Sequence, residues 1–383
     1  MLVLFLLGAS MALKPCRGPA EIQYQAAVRA SQQGSNPEAE KLFRQVVERD
    51  PQCAKAHLNL GLTIAAQERF AEAEPEIRDA LHLSPADPRI YTALGKVLTR
   101  LRRDPEAREA FRKAIALEPR SAEAHFDLGI ALADQSDLEG ALTAFSEGVR
   151  LEPRSPKMRY NRGRVLFELR RYAAARLELE TACRLAPQDT SALYLLGISE
   201  KELDHRNRSM ELFRKLTEID PRDAEGHYLL GQDLLYFGRT DEAVAQWKTA
   251  VDLDPEHTEA LYHLSRMLVE QDPQAAKAYR ERVGKLKKIG QTTDRAEMLS
   301  FLAVSSAKAG KLAEAITQLQ EAVDLCGDCR LRGDLLKSLG LVYCHSGDLR
   351  NGETRLRQAL ELKPRDADIQ KSLKMIETRA GPR

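Results

Sequence analysis

Residues 88–119 read PRIYTALGKVLTRLRRDPEAREAFRKAIALEP, and this stretch decides the fold. Apolar residues recur at helical spacing on both sides of a polar turn, Arg102-Arg103-Asp104, and Pro119, which cannot continue a helix, closes the stretch. The pattern therefore predicts a hairpin of two short helices. The same residue types return 34 residues later, at Leu128, Gly129, Leu132, Ala141, Phe145, Gly148 and Pro153.

This unit recurs along nearly the whole chain. Its glycine stands at Gly61, Gly95, Gly129, Gly163, Gly197, Gly231 and Gly340, and its closing proline at Pro51, Pro85, Pro119, Pro153, Pro187, Pro221, Pro255 and Pro364. The spacing resembles the tetratricopeptide repeat, whose 34-residue signature runs W-x2-L-G-x2-Y, A-x3-F and P. The resemblance implies an all-α fold, a right-handed α-solenoid superhelix of about ten helix hairpins with a C-terminal capping helix.

The repeat pattern also divides the chain. Eight tandem hairpins are expected in residues 20–289, a joint at residues 290–295 (GQTTDR), two further hairpins in residues 296–365, and a capping helix and tail in residues 366–383. Because each hairpin of a solenoid touches only its neighbours, we expect one quasi-linear domain.

The small residues at fixed positions predict close helix packing. A glycine inside a helix costs about 1 kcal/mol relative to alanine, so the repeated glycines indicate that a neighbouring helix lies against them. We expect the in-phase alanines, such as Ala107 and Ala141, to form the facing half of this contact. The large residue four positions later, Phe111 or Phe145, is expected to lock into the next hairpin.

The charge balance gives no sign of a polyanionic partner. The chain has 58 Lys and Arg against 57 Asp and Glu, a net charge of +1, and 30% of its residues are charged. No global field favours nucleic acid or a membrane surface, and the charged content suits the solvated faces of amphipathic helices.

The first twelve residues, MLVLFLLGASMA, form an apolar run that ends in small residues. This run predicts a cleavable signal peptide at residues 1–12 and an exported, periplasmic or secreted protein, and it is too short for a spanning helix. It lacks a basic residue at its start, so an apolar helix over the first repeat, or a wrongly assigned start in a cytoplasmic protein, remains an alternative.

The resemblance further implies that the first helices of the hairpins line a concave groove for an extended peptide or a partner's helix. On that geometry the candidate groove residues are those close to the signature glycine. They are Asn59, Arg89, Lys96, Phe126, Asp127, Lys157, Tyr160, Asn161, Arg164, Tyr194, Tyr228 and Tyr262. Five aromatic residues in five consecutive hairpins would give apolar contact, and the four tyrosines among them would give hydroxyl groups, although tyrosine and asparagine at these places are also common in consensus repeats without a ligand.

Charge along this expected groove changes sign, from basic residues in the amino-terminal half (Arg89, Lys96, Lys157) to acidic residues (Glu225, Glu259) in the carboxy-terminal half. Such a gradient could orient a partner with an acidic end, and unselected surface charge is the alternative. The residues that clamp a terminal carboxylate in some family members are only partly matched, by Asn59 and Arg89. We therefore do not predict binding of a chaperone tail.

The cysteines and histidines suggest no metal or catalytic site. Cys326 and Cys329 form one C-x2-C without a second pair for a zinc site, and a small loop disulfide is favoured over a redox role. Cys53 is interpreted as a core or turn residue. The histidines at the signature tryptophan position (His57, His125 and His227) are interpreted as packing residues.

The sequence thus predicts a non-enzymatic interaction scaffold without a cofactor, a metal or a nucleic-acid partner. We expect its partner to be a protein or peptide held in the groove. Two alternatives remain: an accessory arm of an enzyme or assembly on another chain, and a self-assembling structural protein, for example a homodimer.

Overall fold

The structure is a computed structural model that describes residues 13–380, without the side chains of residues 379 and 380; the predicted signal peptide lies outside this range. Regular structure in this range is α-helical throughout. The described residues divide into two compact units, unit 1 up to residue 233 and unit 2 from residue 234, and this boundary falls within one helix, α13 (Ala224–Tyr236). Each unit is an all-α solenoid of stacked hairpins.

Unit 1 contains six complete hairpins, each formed by two consecutive helices. Its helices are α1 (Pro19–Gln32), α2 (Asn36–Arg49), α3 (Ala54–Ala65), α4 (Phe70–Leu83), α5 (Pro88–Arg100), α6 (Asp104–Leu117), α7 (Ala122–Asp134), α8 (Leu138–Leu151), α9 (Pro156–Glu168), α10 (Tyr172–Leu185), α11 (Thr190–Glu202) and α12 (Arg206–Ile219). These bounds repeat with the period of the sequence, because each turn and each closing proline recurs in phase.

Unit 2 is less regular. Its helices are α14 (Thr240–Leu253), α15 (Thr258–Met267), α16 (Pro273–Lys308), α17 (Leu312–Cys326), α18 (Arg332–His345), α19 (Leu349–Leu362) and α20 (Ala367–Ala380). The last helix, α20, packs on α19 and buries Ile369, Leu373 and Ile376.

The joint predicted at residues 290–295 is not a break in the structure. These residues lie inside α16, a continuous helix of 36 residues. Its first half packs on α15 and its second half on α17, so one helix completes one hairpin and starts the next. Gly290 has open space around it, and a lone exposed glycine weakens a helix by only about 1 kcal/mol without ending it.

The signature glycines sit where a helix touches a large side chain. A Cβ atom on Gly129 would lie 2.7 Å from the Phe145 ring, and one on Gly95 would lie 2.6 Å from the Phe111 ring. Both rings are almost fully buried. The large residue therefore covers the glycine of its own hairpin, whereas the sequence interpretation placed it against the next hairpin and put an alanine opposite the glycine.

One backbone feature of the turns recurs with the repeat. In unit 1 the turn between the two helices of each hairpin contains a residue with positive φ, and five of these are non-glycine residues at intervals of 34 residues: Glu68 (62°), Arg102 (59°), Ser136 (62°), Arg170 (57°) and Asp204 (60°). Gly34 and Gly238 occupy the same place in the first and seventh hairpins. Non-glycine residues in this left-handed conformation are strained by about 1 kcal/mol.

The histidines at the signature tryptophan position make hydrogen bonds rather than apolar contacts alone. The Nε2 atoms of His57 and His125 both lie 3.3 Å from a closing proline carbonyl, that of Pro51 and Pro119 respectively. Arg159 donates from Nε to the Pro153 carbonyl in the same way, at 3.2 Å. The position therefore ties the start of a hairpin to the loop that precedes it.

Candidate functional site

We define the first-helix face of unit 1 as the side of α3, α5, α7, α9 and α11 that carries Asn59, Lys96, Asp127, Tyr160 and Tyr194. Most of the predicted groove residues of unit 1 lie on or beside it.

At the amino-terminal end of this face, Asn59 is already hydrogen-bonded. Its Nδ2 donates to the Tyr24 hydroxyl at 2.6 Å. Lys55 lies 4.2 Å from the centre of the Tyr24 ring and 2.6 Å from Glu21. Burial and the negative charge of Glu21 raise the Tyr24 pKa, while the hydrogen bond from Lys55 lowers that of Glu21. A peptide amide would have to compete with Tyr24 for the Asn59 side chain.

Arg89 also has an internal partner. Its guanidinium makes two hydrogen bonds to the buried Asp87 carboxylate, at 2.6 and 3.0 Å, and these bonds raise the Arg89 pKa. The same carboxylate accepts from the Arg89 backbone N–H and caps α5. Arg89 is thus held at the start of its own helix.

Lys96 joins two neighbouring hairpins. Its Nζ lies 2.8 Å from Glu123 Oε1 and 3.0 Å from Asp127 Oδ2. Burial lowers the Lys96 pKa, but the two carboxylates raise it by more, so the net shift is upward. Burial raises the Asp127 pKa, because desolvation of that carboxylate outweighs its attraction to Lys96. Lys96 thus has acidic partners within the protein.

Phe126, the first of the five predicted aromatic residues, is not open to a ligand. It is buried, its ring centre lies 5.6 Å from that of Phe145, and the Lys157 ammonium lies over its ring. Asn161 is buried as well, and its Nδ2 donates to the Lys157 backbone carbonyl at 2.9 Å. These two positions therefore serve the fold of α7 and α9.

The next two aromatic residues, Tyr160 and Tyr194, line an open cleft between α9 and α11. The cleft has a volume of about 440 Å³ and is lined by Tyr160, Arg164, Phe167, Glu168, Thr190, Ser191, Tyr194, Leu195 and Asp223. Both tyrosines are half-buried, and burial raises the pKa of each. Arg164 Nη1 lies 2.7 Å from Glu168 Oε1. This cleft brings together three of the predicted residues.

The last two aromatic residues differ from this pair. Tyr228 is buried, and its hydroxyl accepts a hydrogen bond from Gln232 in the next turn of α13. Tyr262 belongs to unit 2 and is 47% exposed, with its hydroxyl accepting from Arg266 at 3.3 Å. The five positions are equivalent in the repeat but not in exposure, so they do not form a uniform row.

The charge gradient predicted from the sequence is largely neutralised in unit 1. Lys55, Arg89, Lys96 and Arg164 each contact a carboxylate of the same or a neighbouring hairpin. Sequence reasoning missed this because ion pairs across hairpins depend on side-chain register. It also missed Phe167 and Asp223 in the cleft. Their signals were an aromatic residue in the last turn of α9 and an acidic residue just before α13.

The structure contains two disulfides among the described cysteines. One joins Cys326 and Cys329 at the end of α17, the pair singled out in the sequence. The other joins Cys16 and Cys53. From the sequence, Cys53 was interpreted only as a core or turn residue. This disulfide ties the segment before α1 to the loop before α3, across 37 residues, and both cysteines are buried. Spacing alone could not reveal a pair so far apart.

In the described part of the chain, the group of side chains best placed to ligate a metal is His57, Glu76 and Asp79. His57 Nδ1 lies 2.8 Å from Glu76 Oε2, and its Nε2 faces the Pro51 carbonyl. Both ring nitrogens therefore face acceptors, an arrangement that suits a doubly protonated imidazolium. Burial lowers the His57 pKa, but Glu76 and the Pro51 carbonyl raise it by more, so its net shift is upward. The arrangement is that of an ion pair.

None of the helices within residues 13–380 combines the length and apolar character needed to cross a bilayer.

A comparison with family profiles identifies the repeat. The tetratricopeptide-repeat profile matches residues 24–88, 92–156, 127–190, 160–224 and 228–285, which together make up more than half of the chain. A search of curated proteins gave no match.

Several solved structures are similar to this chain. The C-terminal part of a TPR repeat-containing protein from Cytophaga hutchinsonii is 15% identical, with a TM-score of 0.55 over 63% of this chain and 99% of that one. PilW, described as a widely conserved type IV pilus biogenesis factor, is 20% identical, with a TM-score of 0.51 over 57% of this chain and 99% of PilW. YrrB, described as a TPR protein with an unusual peptide-binding site, is 23% identical, with a TM-score of 0.45 over 48% of this chain and 95% of YrrB. At these identities the similarities concern the fold alone.

Proposed function

Because the chain belongs to the tetratricopeptide-repeat family, we propose that it is a non-catalytic scaffold that binds an extended segment of a partner protein on the first-helix face of unit 1. The observation that carries this proposal is the open cleft between α9 and α11. Its two half-buried tyrosines, Tyr160 and Tyr194, offer flat apolar surface and hydroxyl groups to a peptide. Most polar groups elsewhere on this face are already paired within the protein, so the cleft is the part most open to a partner.

The proposal is tested with three baits in a quantitative pull-down from the native host: the unaltered protein, a Tyr160→Ala/Tyr194→Ala variant and a Tyr91→Ala control. Tyr91 is also half-buried in unit 1 but lies outside the predicted groove set. We expect the control to keep the partner and the double variant to lose it, with unchanged helicity by circular dichroism. Equal recovery of the partner by all three baits would show that the binding surface lies elsewhere on the protein.

A second candidate function, self-association, is favoured by one observation in unit 2. The second half of α16 exposes a cluster of apolar side chains, with Phe301 76% exposed and Met298 56% exposed. Covering such a patch is a common reason for a protein to dimerise. Light scattering across a concentration series tests this, and we expect a Phe301→Asp variant to be monomeric. A monomeric unaltered protein at high concentration would refute self-association.

We further propose that the protein is exported and that residues 1–12 serve as its signal. The two disulfides support this, because disulfides persist in oxidising compartments. Protein purified from its host in the presence of an alkylating agent should begin between residues 9 and 16 and contain linked Cys16 and Cys53 peptides. An intact Met1, or the same cysteines recovered as alkylated thiols, would contradict export.

A further inference from the structure

The lining of the α9–α11 cleft combines aromatic rings with an excess of negative charge. Tyr160, Phe167 and Tyr194 supply the rings. The charged side chains of the lining are one cation, Arg164, and two carboxylates, Glu168 and Asp223. Arg164 lies 2.7 Å from Glu168, so these two neutralise each other and Asp223 is left over.

Asp223 is positioned by its own helix. Its Oδ1 accepts from the Gly226 backbone N–H at 3.0 Å at the start of α13, which fixes the carboxylate beside the cleft. A carboxylate has further acceptor capacity beyond one hydrogen bond. Asp223 can therefore cap α13 and still face a ligand.

The charges around Tyr194 are negative as well. After burial, the charges of Glu225 and Asp223 are what raise the Tyr194 pKa. At Tyr160 burial raises the pKa most, Arg164 lowers it, and Asp189 and Glu168 raise it, so the charges around this tyrosine are mixed. Negative potential beside the half-buried Tyr194 ring disfavours an acidic ligand group and attracts a cation, which also gains from the aromatic rings themselves.

We propose that the α9–α11 cleft is a subsite for a basic side chain, arginine or lysine, of the bound segment. This inference rests on the proposed function and adds the chemistry of the partner to it. The cation lies against Tyr160 and Tyr194 and pairs with Asp223. A carboxylate clamp binds an acidic group through basic side chains, whereas this cleft would bind a basic group, because its arginine, Arg164, is already paired with Glu168.

The test uses capped seven-residue peptide pools, fluorescently labelled, in which the central residue is arginine, lysine, citrulline, glutamine or glutamate and the other positions are varied among uncharged residues. Citrulline is nearly the same shape as arginine without its charge. By fluorescence polarisation with the full chain, we expect the arginine and lysine pools to bind at least about threefold more tightly than the citrulline and glutamine pools. The comparison of arginine with lysine shows which cation the cleft prefers.

An Asp223→Asn variant isolates the charge, because asparagine caps a helix about as well as aspartate. We expect this variant to lose the preference for a cation. Asp137→Asn is the matched control, since Asp137 caps α8 in the same way and does not line the cleft. A Tyr194→Leu variant should lower the affinity of the cationic pools by about threefold.

The outcomes separate this inference from the proposed function. If the pools bind without preference for a cation, or if Asp223→Asn keeps the preference, the basic subsite is wrong and the peptide-binding face stands. If no pool binds the unaltered protein, both fall. Circular dichroism of each variant shows that it is folded, and Asp223→Ser, which retains a capping oxygen, replaces Asp223→Asn should the latter unfold.

Discussion

The Nζ atom of Lys157, at the start of α9, lies 3.7 Å from the centre of the Phe126 ring on α7. A repeat position that would otherwise present an aromatic face to a ligand is thus covered by a cation from the next hairpin. The protein uses within its own fold the same cation–aromatic contact that we propose for a partner at Tyr160 and Tyr194. The two sites differ because the cleft has no internal cation over its rings among the described residues.

This contact should couple the two residues in stability. We expect a double-mutant cycle with Lys157→Met and Phe126→Leu, measured by urea unfolding, to give a coupling of about 0.5–1 kcal/mol, the range for a cation–aromatic pair whose cation stays solvated, as the exposed Lys157 does. Methionine keeps the length of the side chain without its charge. Strict additivity of the two substitutions would show that the contact does not stabilise the protein.

Adding a methyl group to a signature glycine should destabilise the protein. The same change at a helical glycine that faces open space should stabilise it. We expect Gly129→Ala to lower the free energy of unfolding by about 1–3 kcal/mol, because its Cβ would meet the buried Phe145 ring at 2.7 Å. Gly284→Ala, in exposed α16, should raise it by about 0.5–1 kcal/mol. Urea unfolding followed by circular dichroism measures both, and effects of the same sign would contradict the packing argument.

At the strained turn residues, in contrast, replacement by glycine should stabilise the protein. Arg102 is exposed with a φ of 59°, so Arg102→Gly should relieve strain and raise the free energy of unfolding by about 0.5–1 kcal/mol. Arg112, which is exposed within α6, serves as the control, and Arg112→Gly should lower it by about 1 kcal/mol. A loss of stability in Arg102→Gly would mean that the turn does not require the left-handed conformation.

The His57–Glu76 pair should make unit 1 sensitive to pH. The pKa of His57 in the folded protein is raised above its ordinary value of 6.5, so its contribution to stability is fully present below pH 6.5 and is lost as pH rises through the folded pKa. A Glu76→Gln variant should lack this dependence, while His125→Gln, at the equivalent place two hairpins later, should retain it. The measurement is urea unfolding at a series of pH values, and parallel pH profiles for the native and Glu76→Gln proteins would refute the role of the pair.

The fold was largely predictable because its determinants are local. The glycine at Gly95, the alanine at Ala107 and the proline at Pro119 each impose a restraint within their own hairpin, and a repeat of period 34 copies those restraints along the chain. The irregular part was harder, because Gly290 is compatible with both a turn and a helix. Packing against α15 and α17 decides for the helix.

The candidate site was less predictable because it depends on which side chains meet across hairpins. The sequence placed Lys96 and Asp127 near the same face but could not show that the two pair at 3.0 Å. It placed Phe126 and Tyr160 at equivalent positions but could not show that only Phe126 is covered. Exposure and pairing are properties of the stacked structure, whereas the repeat pattern describes one hairpin at a time.

Because α16 belongs to two hairpins, it fixes the rotation of one hairpin relative to the other around the α16 axis. One added residue rotates everything beyond it by about 100° around the helix axis. An insertion between Gly284 and Gly290 would therefore turn Ala296 and Ala303, which are buried on one half, away from α17 while Ala276 stays against α15. A regular hairpin could be added or removed as a unit, whereas α16 keeps its contacts with both α15 and α17 only if its length changes by whole helical turns.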